Sequence, residues 1–217
     1  MLSVRLYLAS TSPARLALLR QVGIEPVVVP SNVDEEAAVR LATDSNGELD
    51  ASAMVTLLAR LKAEAILGQQ PDGETIDGVI LGGDSAFELD GIIYGKPHEP
   101  QIARERWLEQ RGKTGTLHSG HWIIEVKNGE PARALGATAH ASVEFAADIS
   151  EQEIDAYVAS GEPLQVAGAF TVDGLAAPFI RSVTGAPSTV IGMSLPTLRT
   201  MLAELDVDMM SLRNIDR

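Results

Sequence analysis

The residue type best suited to chemistry in this chain is an aspartate set directly after two glycines. Asp84 follows Val79-Ile80-Leu81 and Gly82-Gly83, and it precedes Ser85. The apolar triplet reads as a short buried strand. The glycines admit a ligand close to the backbone, and the carboxylate then stands at the strand's carboxyl end, where open α/β sheets bind their ligands. Such a carboxylate can ligate Mg²⁺ or accept a proton from water; it can equally cap a turn. Asp90-Gly91 predicts a tight hairpin turn, and the returning arm ends in Gly95-Lys96-Pro97. An acid and a lysine on two arms of one hairpin suit a charged substrate.

Four other segments carry side chains of the same kind. Ser10-Thr11-Ser12-Pro13-Ala14-Arg15 reads as a strand running into a helix start, with Ser12 as N-cap and Pro13 at the first helical position. Free N–H groups, hydroxyls and an arginine there suit phosphate, although an ordinary capped helix with a solvated arginine has the same sequence. Lys62 lies four residues from both Leu58 and Ile66, on the apolar side of its helix, either aimed into a site or snorkelling past its neighbours. Asp34-Glu35-Glu36 is a second source of metal-ligating carboxylates or a solvated acidic loop. Gly168 to Gly174 (GAFTVDG) permits close backbone approach and offers Asp173 to a base edge or ribose, while packing turns explain the glycines as well. His98, His118, His121 and His140 have no metal-ligand spacing, and His118 and His121 on one strand face opposite sides.

The elements that must position these residues follow from punctuation and periodicity. Val4–Ala9 and 26–30 read as strands, with a helix between them that carries Leu16, Leu19 and Val22 and stops at Gly23. Residues 41–52 are polar and read as a mobile loop. A second helix spans Ala53–Leu67, and a Pro/Gly/Asp-rich linker leads from Gly68 to the Asp84 strand. Glu99–Arg111 is predicted as a charged surface helix. His118–Val126 and Ala134–Phe145 alternate as strands around a turn at Asn128-Gly129. Ser150 with Glu153 signals a capping box for a helix over Glu151–Ala159. Glycine-rich loops and short strands fill Gly161–Gly192, and Pro196–Leu205 closes the chain as a helix. This irregular alternation favours an α/β fold with a mixed sheet and flanking helices over a doubly wound parallel sheet.

Bulk properties narrow the function classes. The 217 residues carry a net charge of −13, which argues against a nucleic acid polymer as partner, because phosphate-backbone binding needs a basic face. A few focused cations can still hold a small anion, and two of the chain's four lysines fall in the motifs above. Without cysteine there is no disulfide framework and no thiolate chemistry. The start MLSVRLYLAS lacks a signal-peptide pattern, and no apolar run approaches the ~20 residues of a membrane span. The expectation is a cytoplasmic protein with no membrane association.

LASTSPARLALLRQVGIEP, PSNVDEEA, RLKAEAIL, GGDSAFELDGIIYGKP, GEPLQVAGAFTVDG and TGAPSTVIGMSLP together resemble Maf-type nucleoside triphosphate pyrophosphatases, collinearly from Leu8 to about Leu202. The resemblance implies one domain over residues 1–217, with an elongated mixed central sheet, flanking helices and two lobes around a nucleotide cleft (Maf/ITPase-like). It implies hydrolysis of a nucleoside triphosphate between the α- and β-phosphates with a divalent cation, Mg²⁺ or Mn²⁺. A homodimer, a house-cleaning role toward non-standard nucleotides and a link to cell-division arrest come with it. By position, Asp84 is implied as proton acceptor and metal ligand, with Lys62 and Lys96 as catalytic cations that neutralise the charge building on phosphate in the transition state. Ser10, Ser12, Ala14, Arg15, Ser85 and Asp173 are implied as substrate contacts and Glu35 as a second metal ligand. Ala14 replaces the first of the family's usual two arginines, Gly83-Asp84-Ser85 its Ala-Asp-Thr, Asp173 a glutamine and Gly115 a histidine. The pattern resembles an actinobacterial-type branch. The alternative is a non-catalytic nucleotide-binding regulator of septum formation.

Overall fold

A computed structural model describes residues 4–215; positions 1–3 of the strand-like start lie outside the described residues. Among these, seven strands form one sheet and seven α-helices flank it. The sheet order is β2 (Val27–Val28), β1 (Arg5–Leu8), β3 (Gly78–Leu89), β5 (Thr114–Lys127), β6 (Glu130–Phe145), β7 (Ile180–Thr184), with β4 (Ile92–Tyr94) paired to β3. β1 runs parallel to β2 and β3, and the remaining pairings are antiparallel. The mixed sheet is therefore as the irregular alternation predicts.

The long strands β3, β5 and β6 carry the sheet from one lobe to the other. Their alternation feeds three apolar clusters. Val79, Leu81 and Ile123 pack with Leu18, Leu19, Leu198 and Met201 of α1 (Pro13–Gln21) and α7 (Leu195–Glu204). Ile80 and Ile124 point the other way, toward Ala63 of α3 (Ala51–Glu64) and Ile66. Phe87, Leu117, Phe145 and Phe170 form the second lobe's core with Trp107 of α4 (Pro100–Gln110) and Tyr157 of α5 (Glu151–Ala159). Edge-to-face ring pairs join Phe87 to Phe145 and Phe170, and Trp107 to Tyr157.

Both two-residue hairpins form as predicted: Asp90 and Gly91 have φ 52° and 80°, Asn128 and Gly129 52° and 85°, the left-handed pairs that match strand twist. The capping box Ser150/Glu153 is present.

Three expectations change. Residues 41–52 are mostly helical: α2 spans Glu35–Asn46 and α3 starts at Ala51. Asp34 accepts from the Ala37 amide, and Glu35 and Glu36 complement the positive end of the helix; Gly47 (φ 85°) ends it. The acidic triplet is thus a helix start, and Thr43–Asn46 ride on propensity supplied by the preceding alanines and leucine. α4 is not simply a surface helix, since Ala103, Trp107 and Gln110 form a buried stripe at helical spacing. Finally, Asp84 does not end its strand. β3 continues to Leu89, and it is β1 that stops opposite Leu81. Up to Leu81 this edge of β3 pairs in parallel with β1, and from Phe87 to Leu89 it pairs antiparallel with β4; between them, at Asp84, no strand among the described residues pairs with it, and β1 gives way to the Ser10–Ser12 turn.

Candidate active site

Period-two alternation divides the Gly82–Ser85 motif between two helices. Gly82 and Asp84 face α3. A Cβ at Gly82 would lie 2.1 Å from the Ala59 carbonyl oxygen and 2.9 Å from Ala63 Cβ, and one at Gly120 on β5 would lie 2.3 Å from the Val55 carbonyl oxygen. Only glycine at these two positions lets α3 lie this close to the sheet. The close approach carries Lys62 to the carboxylate: Lys62 Nζ donates to Asp84 Oδ1 at 2.7 Å and sits 2.7 Å from Glu35 Oε1. Lys62 is 7% and Asp84 8% exposed. The lysine on the apolar helix face is therefore aimed into the site and not toward solvent.

Gly83 and Ser85 face the other way, toward Arg15. The guanidinium is buried, with Nε donating to the Gly192 carbonyl at 2.9 Å, Nη1 to Ser10 Oγ at 3.2 Å and Nη2 to Ser85 Oγ at 3.0 Å. The Ser85 hydroxyl in turn donates to the Gly192 carbonyl at 3.2 Å. Arg15 thus fastens the α1 start, β3 and the 185–192 segment to one another, with two of its five N–H groups left over. Ser12 caps α1 by accepting from the Arg15 amide at 3.4 Å, and Ser10 accepts from the Ser12 amide at 3.2 Å.

Burial shapes the titration of the pair. It pushes the Asp84 carboxyl above its ordinary range, against the pull of Lys62 and Arg15. Burial also lowers the Arg15 guanidinium, with Asp84 and Glu35 opposing. A carboxylate raised by its surroundings yet held next to two cations is suited to take a proton from water.

One cleft of about 1200 Å³ is lined by all the residues singled out in the sequence: Ser10, Ser12, Ala14, Arg15, Glu35, Lys62, Asp84, Ser85, Lys96 and Asp173. Lys96 reaches it from the second lobe and has no ion-pair partner among the described residues. A smaller, open hollow of about 430 Å³ between α3 and the β5–β6 face, lined by Thr56, Arg60 and Trp122, contains none of them.

Several cleft residues escaped the sequence reading. Arg40 and Val39 line the cleft from α2, whose second half reads as loop. Asn32 (φ 52°) and His98 (φ 60°) also line it, each in a backbone conformation that few non-glycine residues adopt. The only signal for His98 is its place two residues after Lys96. His121, by contrast, is fully buried below the site and accepts from the Ser194 amide at 2.9 Å. His118 lies on the opposite face, its Nδ1 3.0 Å from His140 Nδ1, as the odd separation requires.

The carboxylate pair fits a hard divalent cation. Lys62 occupies one oxygen each of Asp84 and Glu35, and each side chain keeps a second. Among the described residues no cluster of three or more His, Cys, Asp or Glu side chains forms a complete cage. One or two carboxylates, supplemented by water and phosphate oxygens, is the donor set Mg²⁺ commonly uses beside a polyphosphate.

Residues 5–205 match the profile of the family described as Maf-like protein. A nucleoside triphosphate pyrophosphatase of Leifsonia xyli subsp. xyli is 63% identical over 97% of both chains. One of Salinispora tropica is 47% identical over 95% of this chain and 86% of its own. Among solved structures, the Ham1 protein of Staphylococcus aureus aligns over 93% of this chain and 99% of its own, with 11% identity and a TM-score of 0.46.

Proposed function

The chain belongs to the Maf family and is a nucleoside triphosphate pyrophosphatase, and from that premise we propose that its cleft cleaves the α–β phosphoanhydride bond, releasing a nucleoside monophosphate and pyrophosphate. The observation that carries this reading is the Glu35–Lys62–Asp84 bridge on the wall of the same cleft that Ser10–Arg15 and Lys96 line. In this reading residues 1–217 work as one domain.

Asp84 accepts a proton from the attacking water as its oxygen bonds to phosphorus and the anhydride P–O bond breaks. Lys62 favours the ionised form of Asp84 against burial, and its third N–H is left to donate to phosphate, where negative charge gathers in the transition state. Lys96, with no ion-pair partner among the described residues, closes on the phosphate chain from the other lobe. Ser10, Ser12 and the free amides of the α1 start hold the anionic tail, with Arg15 keeping that turn in place. Ala14, Ser85 and Asp173 complete the substrate wall. Asp84 and Glu35 would hold Mg²⁺ or Mn²⁺, which when bound neutralises phosphate charge and orients the triphosphate.

The same reading extends, on family resemblance alone, to a cytoplasmic homodimer that removes non-standard nucleotides and bears on cell-division arrest. Among the described residues no helix is long and apolar enough to cross a membrane.

A panel of standard and modified nucleoside triphosphates, incubated with Mg²⁺ or Mn²⁺ and analysed for both products, tests the proposal. Monophosphate and pyrophosphate in equal amounts are expected. Orthophosphate as the first product would refute the bond assignment, and tight binding without any product would favour a regulator.

A further inference from the structure

One carboxylate outside the cleft bonds both ends of a segment that lines it. Glu162 follows Gly161 at the end of α5 and does not line the cleft. Its Oε1 accepts from the Tyr157 hydroxyl at 3.0 Å, from the Thr171 hydroxyl at 2.6 Å and from the Leu175 amide at 3.0 Å; its Oε2 lies 3.0 Å from the same amide. These donors come from the helix behind and from both ends of the 171–175 segment. Thr171 and Asp173, inside that segment, line the cleft. Gly174 fits because it has no side chain: a Cβ there would lie 2.3 Å from Thr171 Oγ1 and 2.6 Å from Glu162 Oε2. The start of the segment is fastened separately, by Trp107 Nε1 donating to the Ala169 carbonyl at 2.7 Å and Gln110 Nε2 to the Gly168 carbonyl at 2.6 Å. Within the turn itself, the Glu162 bonds add to the Ala177 amide donating to the Gly174 carbonyl and to Val172 packed on the second-lobe core.

We propose that Glu162 is a positioning residue for nucleotide binding: by gathering donors from Tyr157, Thr171 and Leu175 it fixes where Thr171 and Asp173 stand in the cleft. It touches no substrate itself. The Leu175 N–H, which can only donate, lies 3.0 Å from both carboxylate oxygens, so an amide in place of the carboxylate turns its NH₂ either toward that N–H or toward the two hydroxyls that donate here. Although burial pushes its carboxyl up, the surrounding donors outweigh that and hold it below the usual carboxylate range. It is therefore ionised at neutral pH, when such hydrogen bonds are strongest. The inference rests on the pyrophosphatase reading for its consequence and on geometry alone for its anchor.

Glu162→Gln tests both parts. Amide hydrogen exchange of full-length protein reports the anchor: exchange should speed up in residues 171–176 and stay unchanged in β3 and β5. Steady-state turnover and binding of an α,β-methylene nucleoside triphosphate report the consequence. The KM and the analogue Kd should rise about tenfold, the worth of one charge-assisted hydrogen bond, with kcat within about twofold of wild type. Combined with Asp173→Ala, the two effects on KM should be less than multiplicative, because both act through one side chain. Tyr157→Phe keeps the ring packing, removes one donor and should move KM in the same direction by less, which keeps the test open if the first variant folds poorly. Unchanged exchange at 171–176, or a fall in kcat that tracks the folded fraction with KM constant, would overturn the proposal. If wild-type protein neither turns over nor binds nucleotide, the functional reading falls and the affinity claim with it, while the exchange data still decide the anchor.

Discussion

Gly82→Ala probes the link between backbone packing and chemistry. The new methyl group would lie 2.1 Å from the Ala59 carbonyl oxygen, and ordinary contact begins at 3.4 Å, so α3 and β3 must part by about 1.3 Å. Gly82 has no left-handed φ, so the perturbation is purely steric. Ala59 lies one turn before Lys62 on α3, and the same displacement carries Nζ from 2.7 Å to about 4 Å from Asp84, outside hydrogen-bond range. A misplacement of about 1 Å costs on the order of 10²-fold in rate, and overpacking costs about 1–3 kcal/mol of stability. The assay is kcat/KM for pyrophosphate release, alongside a urea unfolding curve to correct for the folded fraction. Gly120→Ala, whose methyl group would lie 2.3 Å from the Val55 carbonyl oxygen, should act in the same direction. Wild-type kcat/KM in folded Gly82→Ala protein would refute the claim that this glycine sets the Lys62–Asp84 distance.

Asp84→Asn should lower kcat by about 10²- to 10⁴-fold while leaving nucleotide binding intact. Full turnover in folded Asp84→Asn protein would count against this account. Arg15→Lys should lose about 1–3 kcal/mol of stability and at least about tenfold in kcat/KM, since one ammonium cannot reproduce the fork that reaches Gly192, Ser10 and Ser85; an unchanged unfolding curve would contradict that bracing role. His121 is held down to about 4, first by burial and then by Arg15, below the ordinary histidine value of 6.5. The unfolded chain therefore binds the proton more readily, and this contribution to stability is complete above 6.5 and lost as pH falls toward 4, for a total of roughly 3 kcal/mol. His121→Gln, which can still accept from the Ser194 amide, should flatten the difference in unfolding free energy across that window by about one proton; an unaltered slope would assign the dependence elsewhere.

The sequence alone determined the local chemistry. Ser12-Pro13 starts α1, the two Asx-Gly pairs make left-handed turns, Ser150 with Glu153 caps α5, and apolar triplets flag the buried strands, because each depends on neighbouring residues only. It also supplied the candidate residues, all of which line one cleft. It misjudged 41–46 because Thr, Asp, Ser and Asn disfavour helices individually, while Asp34 and the acidic first turn, several residues away, stabilise the whole of α2. It placed Asp84 at a strand end because the glycines mimic a break; what lies opposite Gly82 is close packing of α3, and opposite Gly83 the Arg15 side chain, visible only once the strands pair. Tertiary structure alone decided that Gly82 and Asp84 answer to Lys62 while Gly83 and Ser85 answer to Arg15, and that Glu162 supports a wall it does not line. Those relations join residues up to 70 positions apart, and a distance between side chains on different elements has no counterpart in the order of residues along the chain.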